Sequence, residues 1–291
     1  MTLERVLITG GGGQLASDLE ALLTPIATVL APPRAELDVT DDERIRAVFA
    51  ELRPTTVYNC AAFHNVELCE REESMAFAVN ATAVKRLAER CAEHGARLVH
   101  LSTNYVFDGA AGGAYAENAA PSPRSVYAIS KLAGEYAALA YASGALVVRT
   151  AGLYGLNGSV SKGGNFVVRM LARAHEQGAL RVVADQRLTP TSTADLAAGL
   201  VRAVEAGLSG VAHVTNAGAC SWHEFTAEIM TLAGLDVPVE PVATTRAAGA
   251  AERPLNGVLA STRPDIEPLR HWREALAEYM NRAGLLAIAT A

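Results

Sequence analysis

Between residues 5 and 150, short aliphatic runs alternate with longer stretches rich in Ala, Leu and charge, and this alternation narrows the possible folds more than any other feature. The runs Arg5–Thr9, Ala27–Leu30, Thr56–Asn59, Arg97–Ser102 and Ala145–Thr150 have strand length. The stretches Gln14–Leu23, Glu43–Leu52, Ser74–His94 and Val126–Ser143 have helix length. Strands that are apolar throughout are buried on both faces. Repeated strand–helix units then give a parallel sheet with right-handed crossovers. The expected architecture is a doubly wound α/β domain with a second, smaller α/β domain beside it.

The second half is less regular. It predicts a helix over Asn165–Gln177, a strand over Arg181–Ala184, a helix over Thr193–Glu205 and a strand over Val211–Thr215. Ser221 with Glu224 three residues on reads as a capping box. The piece Arg246–Ala251 reads as loop. Residues 1–150 and 189–217 are expected to form the larger domain, and 151–188 with 218–291 a discontinuous smaller one.

A formal net charge of −6 argues against a general nucleic-acid surface, which needs a basic face. Cys60, Cys69, Cys91 and Cys220 show no CxxC spacing and read as reduced thiols of a cytoplasmic protein. The N-terminus has no signal-peptide layout. The uncharged stretch from Ala137 to Val148 is too short to cross a bilayer. No spacing of residues suggests a metal site.

The first strand runs into Gly10-Gly11-Gly12-Gly13-Gln14-Leu15-Ala16. Glycines between a strand and a helix let backbone N–H groups approach a pyrophosphate at the positive end of the helix. Gly10, Gly13 and Ala16 fit the spacing G-x-x-G-x-x-[G/A]. The second strand ends in Leu30-Ala31-Pro32-Pro33-Arg34, with no carboxylate before Glu36. An acidic residue there would hold a ribose 2′-hydroxyl, whereas Arg34 suits a 2′-phosphate. NADPH is therefore the expected cofactor, with NADH also admissible.

Tyr127 and Lys131 lie four residues apart in a predicted helix and so share one face. A phenol stabilised by a neighbouring ammonium can give a proton to a carbonyl that receives hydride. The preceding strand ends in Leu101-Ser102-Thr103, and ligands of doubly wound sheets sit at such strand ends. Thr103 can hydrogen-bond the carbonyl oxygen.

With these elements the chain resembles the extended short-chain dehydrogenases/reductases, and more narrowly the dTDP-4-dehydrorhamnose reductase family. The likeness runs through Ile8-Thr9-Gly10 to Leu15, Leu37-Asp38-Val39-Thr40-Asp41, Asn59-Cys60-Ala61-Ala62 and Ser102-Thr103-Asn104-Tyr105-Val106-Phe107-Asp108-Gly109. It continues in the Tyr127/Lys131 pair, Val148-Arg149-Thr150, Gly164-Asn165-Phe166, Asp185-Gln186 with Pro190-Thr191, and Arg253-Pro254. The resemblance implies a Rossmann domain and a catalytic set of Thr103, Tyr127 and Lys131. Around the cofactor it implies Gly10, Gln14, Leu15, Ala61 and Ala62, with Asp38 near the adenine. It places Val66, Asn165, Gln186 and Arg253 near a sugar nucleotide, and Asn104 where the family usually has Asp. The implied reaction is NADPH-dependent reduction of dTDP-4-dehydrorhamnose to dTDP-L-rhamnose.

Asn104 cannot carry the family's charge, and Ala151-Gly152-Leu153 lacks a bulkier aromatic found in relatives. Both departures leave open a reductase of another nucleotide-linked 4-keto-deoxysugar. A non-catalytic NADP-binding subunit, like the one that accompanies methionine adenosyltransferase, is a further alternative. The expected partners are a nucleotide sugar and a second copy of the chain, with neither nucleic acid nor membrane. His64 reads equally as a substrate contact or a loop residue, and His213 as a satisfied core histidine. Glu67, Glu70, Glu72 and Glu73 read as a solvated helix start, and Trp222 and Trp272 as packing residues.

Overall fold

A computed structural model describes residues 4–157, 163–245 and 249–287. The first half folds as β1 (Arg5–Thr9), α1 (Gln14–Leu23), β2 (Thr28–Leu30), α2 (Asp42–Leu52), β3 (Thr56–Asn59), α3 (Val66–Arg71), α4 (Glu73–Phe77), α5 (Ala83–His94), β4 (Arg97–Thr103), α6 (Val126–Tyr141) and β5 (Leu146–Thr150). With the strand Gly210–His213 these make a six-stranded parallel sheet. Its order is Gly210–His213, β5, β4, β3, β1, β2. The chain changes direction across the sheet at β1, so the crevice for ligands lies at the carboxyl ends of β1 and β3.

Strand side chains alternate between the two faces. Val6, Ile8, Tyr58, Val99, Leu101 and Val148 pack on one face against α1 and the helix Thr193–Glu205. Leu7, Val57, Leu98 and Val147 pack on the other against α2, α5 and α6. A polar row interrupts this core. Thr9 Oγ1 donates to Asn59 Oδ1 at 2.7 Å, and Asn59 Nδ2 meets His100 Nδ1 at 3.0 Å across paired strands.

A separate apolar cluster unites Tyr154, Val167, Met170, Phe225, Ile229 and Trp272. Its helices are Phe166–Gln177, Trp222–Leu232 and Trp272–Arg282. A parallel strand pair, Leu180–Val183 with Val239–Val242, stands beside them. Asn165 caps the first helix by accepting from Val168 N, and Ser221 and Glu224 close the expected capping box. The fold is thus a doubly wound Rossmann-type sheet with a smaller α/β layer.

Two local readings change. The continuous helix expected over Ser74–His94 is broken into α4 and α5 by a π-helical turn at Ala78–Thr82. The wide turn carries the buried Asn80, whose amide bonds both the N–H and the carbonyl of Phe63 and also Ser130 Oγ on α6. Close approach to α6 is possible because residue 134 is glycine: a Cβ there would lie 2.1 Å from the Asn80 carbonyl oxygen. The second change is α3, whose six residues are too few to show a periodicity. Of the loop expected over Arg246–Ala251, residues 246–248 lie outside the described residues. The four cysteines stand as thiols, and no helix among the described residues is long and apolar enough to cross a membrane.

Candidate active site

The glycine turn is wedged between two strand ends. Gly10 has φ +77°, and a Cβ there would lie 2.9 Å from Ala61 N. At Gly11 a Cβ would lie 2.0 Å from the Ala31 carbonyl oxygen, while Gly11 N donates to Pro32 O at 3.0 Å. The sequence pattern singles out Gly10 and Gly13; the constraint at Gly11 comes from β2 and appears only in three dimensions. Gly13 caps α1 without a side-chain bond, so the first-turn N–H groups keep their capacity for an anion. Gln14 Oε1 is buried without a partner beside them. The Leu15 side chain is in the core, which leaves its backbone to face the turn. The open N–H groups at the start of α1 and the close backbone approach at Gly10 and Gly11 fit a dinucleotide pyrophosphate.

Arg34, expected to await a phosphate, is paired with Asp38 at 3.2 Å. Burial opposes ionisation of Asp38, but bonds from the N–H and hydroxyl of Thr40, with Arg34, hold its carboxyl below the usual range. The Arg34 side chain is 65% exposed, and such a surface pair is worth little, so a stronger anion can replace Asp38. Ala61 and Ala62 continue from β3 beside Gly10.

Thr103 ends β4, and Tyr127 sits in the first turn of α6, which Ser125 caps by accepting from Ala128 N. Thr103 stands beside the Tyr127 phenol and favours its ionised form. Burial raises the Tyr127 phenol further than Thr103 lowers it, so Tyr127 is a neutral, proton-bearing group. Lys131 is 2% exposed and donates from Nζ to the Leu101 carbonyl at 2.6 Å. Burial brings its ammonium down to about 8, against the opposing charge of Glu135.

Several residues expected near a sugar nucleotide have other partners. Asn104 donates from Nδ2 to Gly257 O at 2.9 Å and is buried. Asn165 spends its amide on Val168 N, Gly155 O and the Tyr279 hydroxyl. It is buried, with both N–H groups and one oxygen lone pair engaged, and it caps the helix. Gln186 donates to Thr244 Oγ1 at 3.0 Å. Gln186, Thr244 and Arg253 line a cleft of about 660 Å³ together with Gly109 and Val242. Val66 opens α3 behind the Asn65 cap, one residue before Glu67.

Glu67 is the link that sequence reasoning missed. Its carboxylate pairs with Arg253 at 2.7 Å and accepts from Ala251 N at 3.1 Å. Glu70 accepts from Val126 N, at the start of α6. The reading of this cluster as a solvated helix start therefore holds for Glu72 and Glu73, which are exposed, and fails for Glu67 and Glu70. No sequence spacing reveals these bonds, because their partners lie 56 and 184 residues away. Burial raises the Tyr105 phenol against the Arg253 charge, which favours its ionisation, and the Tyr105 ring meets Tyr127 edge-on at 5.8 Å. Tyr105 thus stands between the charge of Arg253 at the cleft and Tyr127.

The remaining candidates resolve locally. His213 is buried, with Nδ1 against the carbonyls of Tyr115 and Ala260. His64 folds onto the Ala62 carbonyl at 3.3 Å. Trp272 and Trp222 both pack with Phe225. No group of His, Cys, Asp and Glu among the described residues is arranged to hold a metal.

Comparison with known proteins agrees with this geometry. The family model described as RmlD substrate binding domain matches residues 4–284. The chain is 41% identical over 285 residues to a dTDP-4-dehydrorhamnose reductase of Streptomyces griseus, covering 94% of this chain and 92% of that one. It is also 41% identical to a dTDP-4-keto-6-deoxy-D-glucose reductase of Streptomyces niveus, covering 94% and 96%. Among solved structures, dTDP-4-dehydrorhamnose reductase of Bacillus anthracis in complex with NADP superposes with a TM-score of 0.90. That match is at 34% identity and covers 97% of this chain and 100% of that one.

Proposed function

The chain belongs to the RmlD family of dTDP-4-dehydrorhamnose reductases, and we propose that it reduces the 4-keto group of a nucleotide-activated 6-deoxysugar with NADPH, converting dTDP-4-dehydrorhamnose to dTDP-L-rhamnose. The observation that carries this reading is the placement of Tyr127 in the first turn of α6, one turn before the buried Lys131 and beside Thr103 at the carboxyl end of β4.

NADPH would be held by the turn Gly10–Gly13 with Gln14 and Leu15, by Ala61 and Ala62, and by Arg34 and Asp38 at its adenosine end. When bound it supplies the hydride. Thr103 orients the substrate oxygen by hydrogen bonding. Tyr127 gives its phenolic proton to that oxygen as it becomes a hydroxyl, and the Lys131 ammonium stabilises the phenolate left behind. Gln186 and Arg253 line the cleft that receives the sugar nucleotide. Arg253 changes partner there from Glu67 to a substrate phosphate, a charge-assisted exchange. Val66, Asn104 and Asn165 are assigned to the same substrate site.

Residues 1–150 with 189–217 are assigned to NADP binding and 151–188 with 218–291 to the substrate. The exposed apolar side chains Ile129, Tyr136, Leu139 and Tyr141 on α6 support a homodimer. Four thiols support a cytoplasmic location. A second reading, reduction of another nucleotide-linked 4-ketosugar, is favoured by the equal identity to the Streptomyces niveus enzyme.

Steady-state NADPH oxidation against a panel of nucleotide 4-ketosugars tests the proposal. Fastest turnover of dTDP-4-dehydrorhamnose is expected. Preference for another member selects the second reading. Tight NADP binding without turnover of any member would overturn both.

A further inference from the structure

One helical turn beyond Lys131, α6 carries Glu135, which is 1% exposed. Arg149 on β5 grips its carboxylate with two prongs, Nε to Oε1 at 2.9 Å and Nη2 to Oε2 at 2.7 Å. Ser102 on β4 donates to Oε1 at 2.5 Å. Ser102 and Arg149 are register partners in the sheet, and Ser102 immediately precedes Thr103. The Arg149 guanidinium lies over Phe107 at 5.2 Å.

Stability alone does not account for this ion pair. A buried pair loses so much hydration that apolar residues of similar volume often serve as well or better. Its location is more informative. Lys131 is buried and faces Glu135 and Tyr127 along α6, the Cys60 thiol beyond β3, and His100 on β4. Burial pushes the Cys60 thiol up to about 12 and His100 well below its ordinary value, so both are neutral near pH 7. Tyr127 is neutral as well. Arg149 is matched by Glu135 itself. Of these groups Glu135 is the anion whose charge favours the Lys131 ammonium, although Arg149 takes up part of that charge.

We propose that Glu135, clamped by Arg149 and Ser102, is a positioning residue for the reduction: its buried charge keeps Lys131 an ammonium beneath Tyr127 and Thr103. The role rests on the assignment of Tyr127 and Lys131 made above. Without Glu135, burial would act on Lys131 unopposed. Lys131 would then shed its proton within the working pH range and lose its hold on the phenolate.

The chain has three lysines, Lys85, Lys131 and Lys162, so ¹³Cε-lysine labelling gives a resolvable titration. The experiment compares the wild type, Glu135→Gln and Glu135→Gln/Arg149→Met. The double variant removes both charges together and so avoids leaving an unpaired buried cation. Glu135→Gln is expected to lower the Lys131 midpoint by about one pH unit or more, and the double variant, which also removes the Arg149 cation, to lower it by less, with Lys85 unmoved. The alkaline limb of kcat/KM for NADPH-dependent ketosugar reduction should shift by the same amount and activity should recover at lower pH. Wild-type midpoints for Lys131 in both variants, whatever their melting temperatures, would overturn the proposal and leave the pair a structural one. A parallel Tyr127→Phe variant separates the two readings. If it stays active while Glu135→Gln still moves the Lys131 midpoint, the proton-donor assignment fails and the control of Lys131 by Glu135 stands.

Discussion

Asn104 gives its side-chain amide to the backbone carbonyl of Gly257 at 2.9 Å, tying the end of β4 to a segment 153 residues further along the chain. A carboxylate, usual at this position in the family, has no proton to donate and would face the carbonyl oxygen with like charge. Asn104→Asp should therefore lower stability by about 1–3 kcal/mol, the cost of stranding a buried polar group. It should also raise KM for the sugar nucleotide and leave NADPH affinity unchanged. Thermal unfolding and substrate titration check this. An unchanged melting temperature would mean that the bond from Gly257 N to Arg187 O holds the segment unaided.

Tyr127→Phe keeps the ring and its edge-on contact with Tyr105 but removes the proton donor. General acid assistance is worth on the order of 100- to 10,000-fold, or about 3–5 kcal/mol of barrier. A kcat loss in that range is expected, with NADPH affinity nearly unchanged. Lys131→Met should damage both turnover and cofactor binding. Retention of more than about a tenth of the activity by Tyr127→Phe would point to a different acid.

Arg34→Ala should weaken NADPH binding far more than NADH binding, because only NADPH brings a phosphate able to take Arg34 from Asp38. Dissociation constants for the two cofactors test this. Equal losses, or a wild-type preference for NADH, would remove Arg34 from the cofactor site.

Glu117 joins two distant loops by accepting from Ser261 Oγ at 2.7 Å and from both the N–H and the hydroxyl of Thr262 at 2.9 Å. Burial opposes its ionisation, but these bonds outweigh it and bring the carboxyl down from 4.5 to about 2. A carboxyl lowered in the folded state stabilises the protein above its unfolded value and loses that contribution as pH falls towards its folded value. Glu117→Gln should therefore melt below the wild type at pH 7. The gap should close between about pH 4.5 and 2. A gap that is constant with pH would show that the Glu117 charge contributes nothing.

The parts legible in the sequence are those whose cause is local. Apolar runs of strand length, the break at Gly10–Gly13, and Tyr127 four residues from Lys131 each act through neighbours within a turn or a strand, and the fold follows them to within a residue or two. The capping box of Ser221 and Glu224 is of the same kind. Tertiary structure alone decided the rest. Gly11 is fixed by the Ala31 carbonyl, Gly134 by the Asn80 carbonyl in a π-helical turn, Arg253 by Glu67 and Glu135 by Arg149. Each of these pairs joins elements that the chain visits separately. A carboxylate or a missing Cβ acquires its meaning only from the atom that folding brings against it, and residue spacing carries no record of that atom.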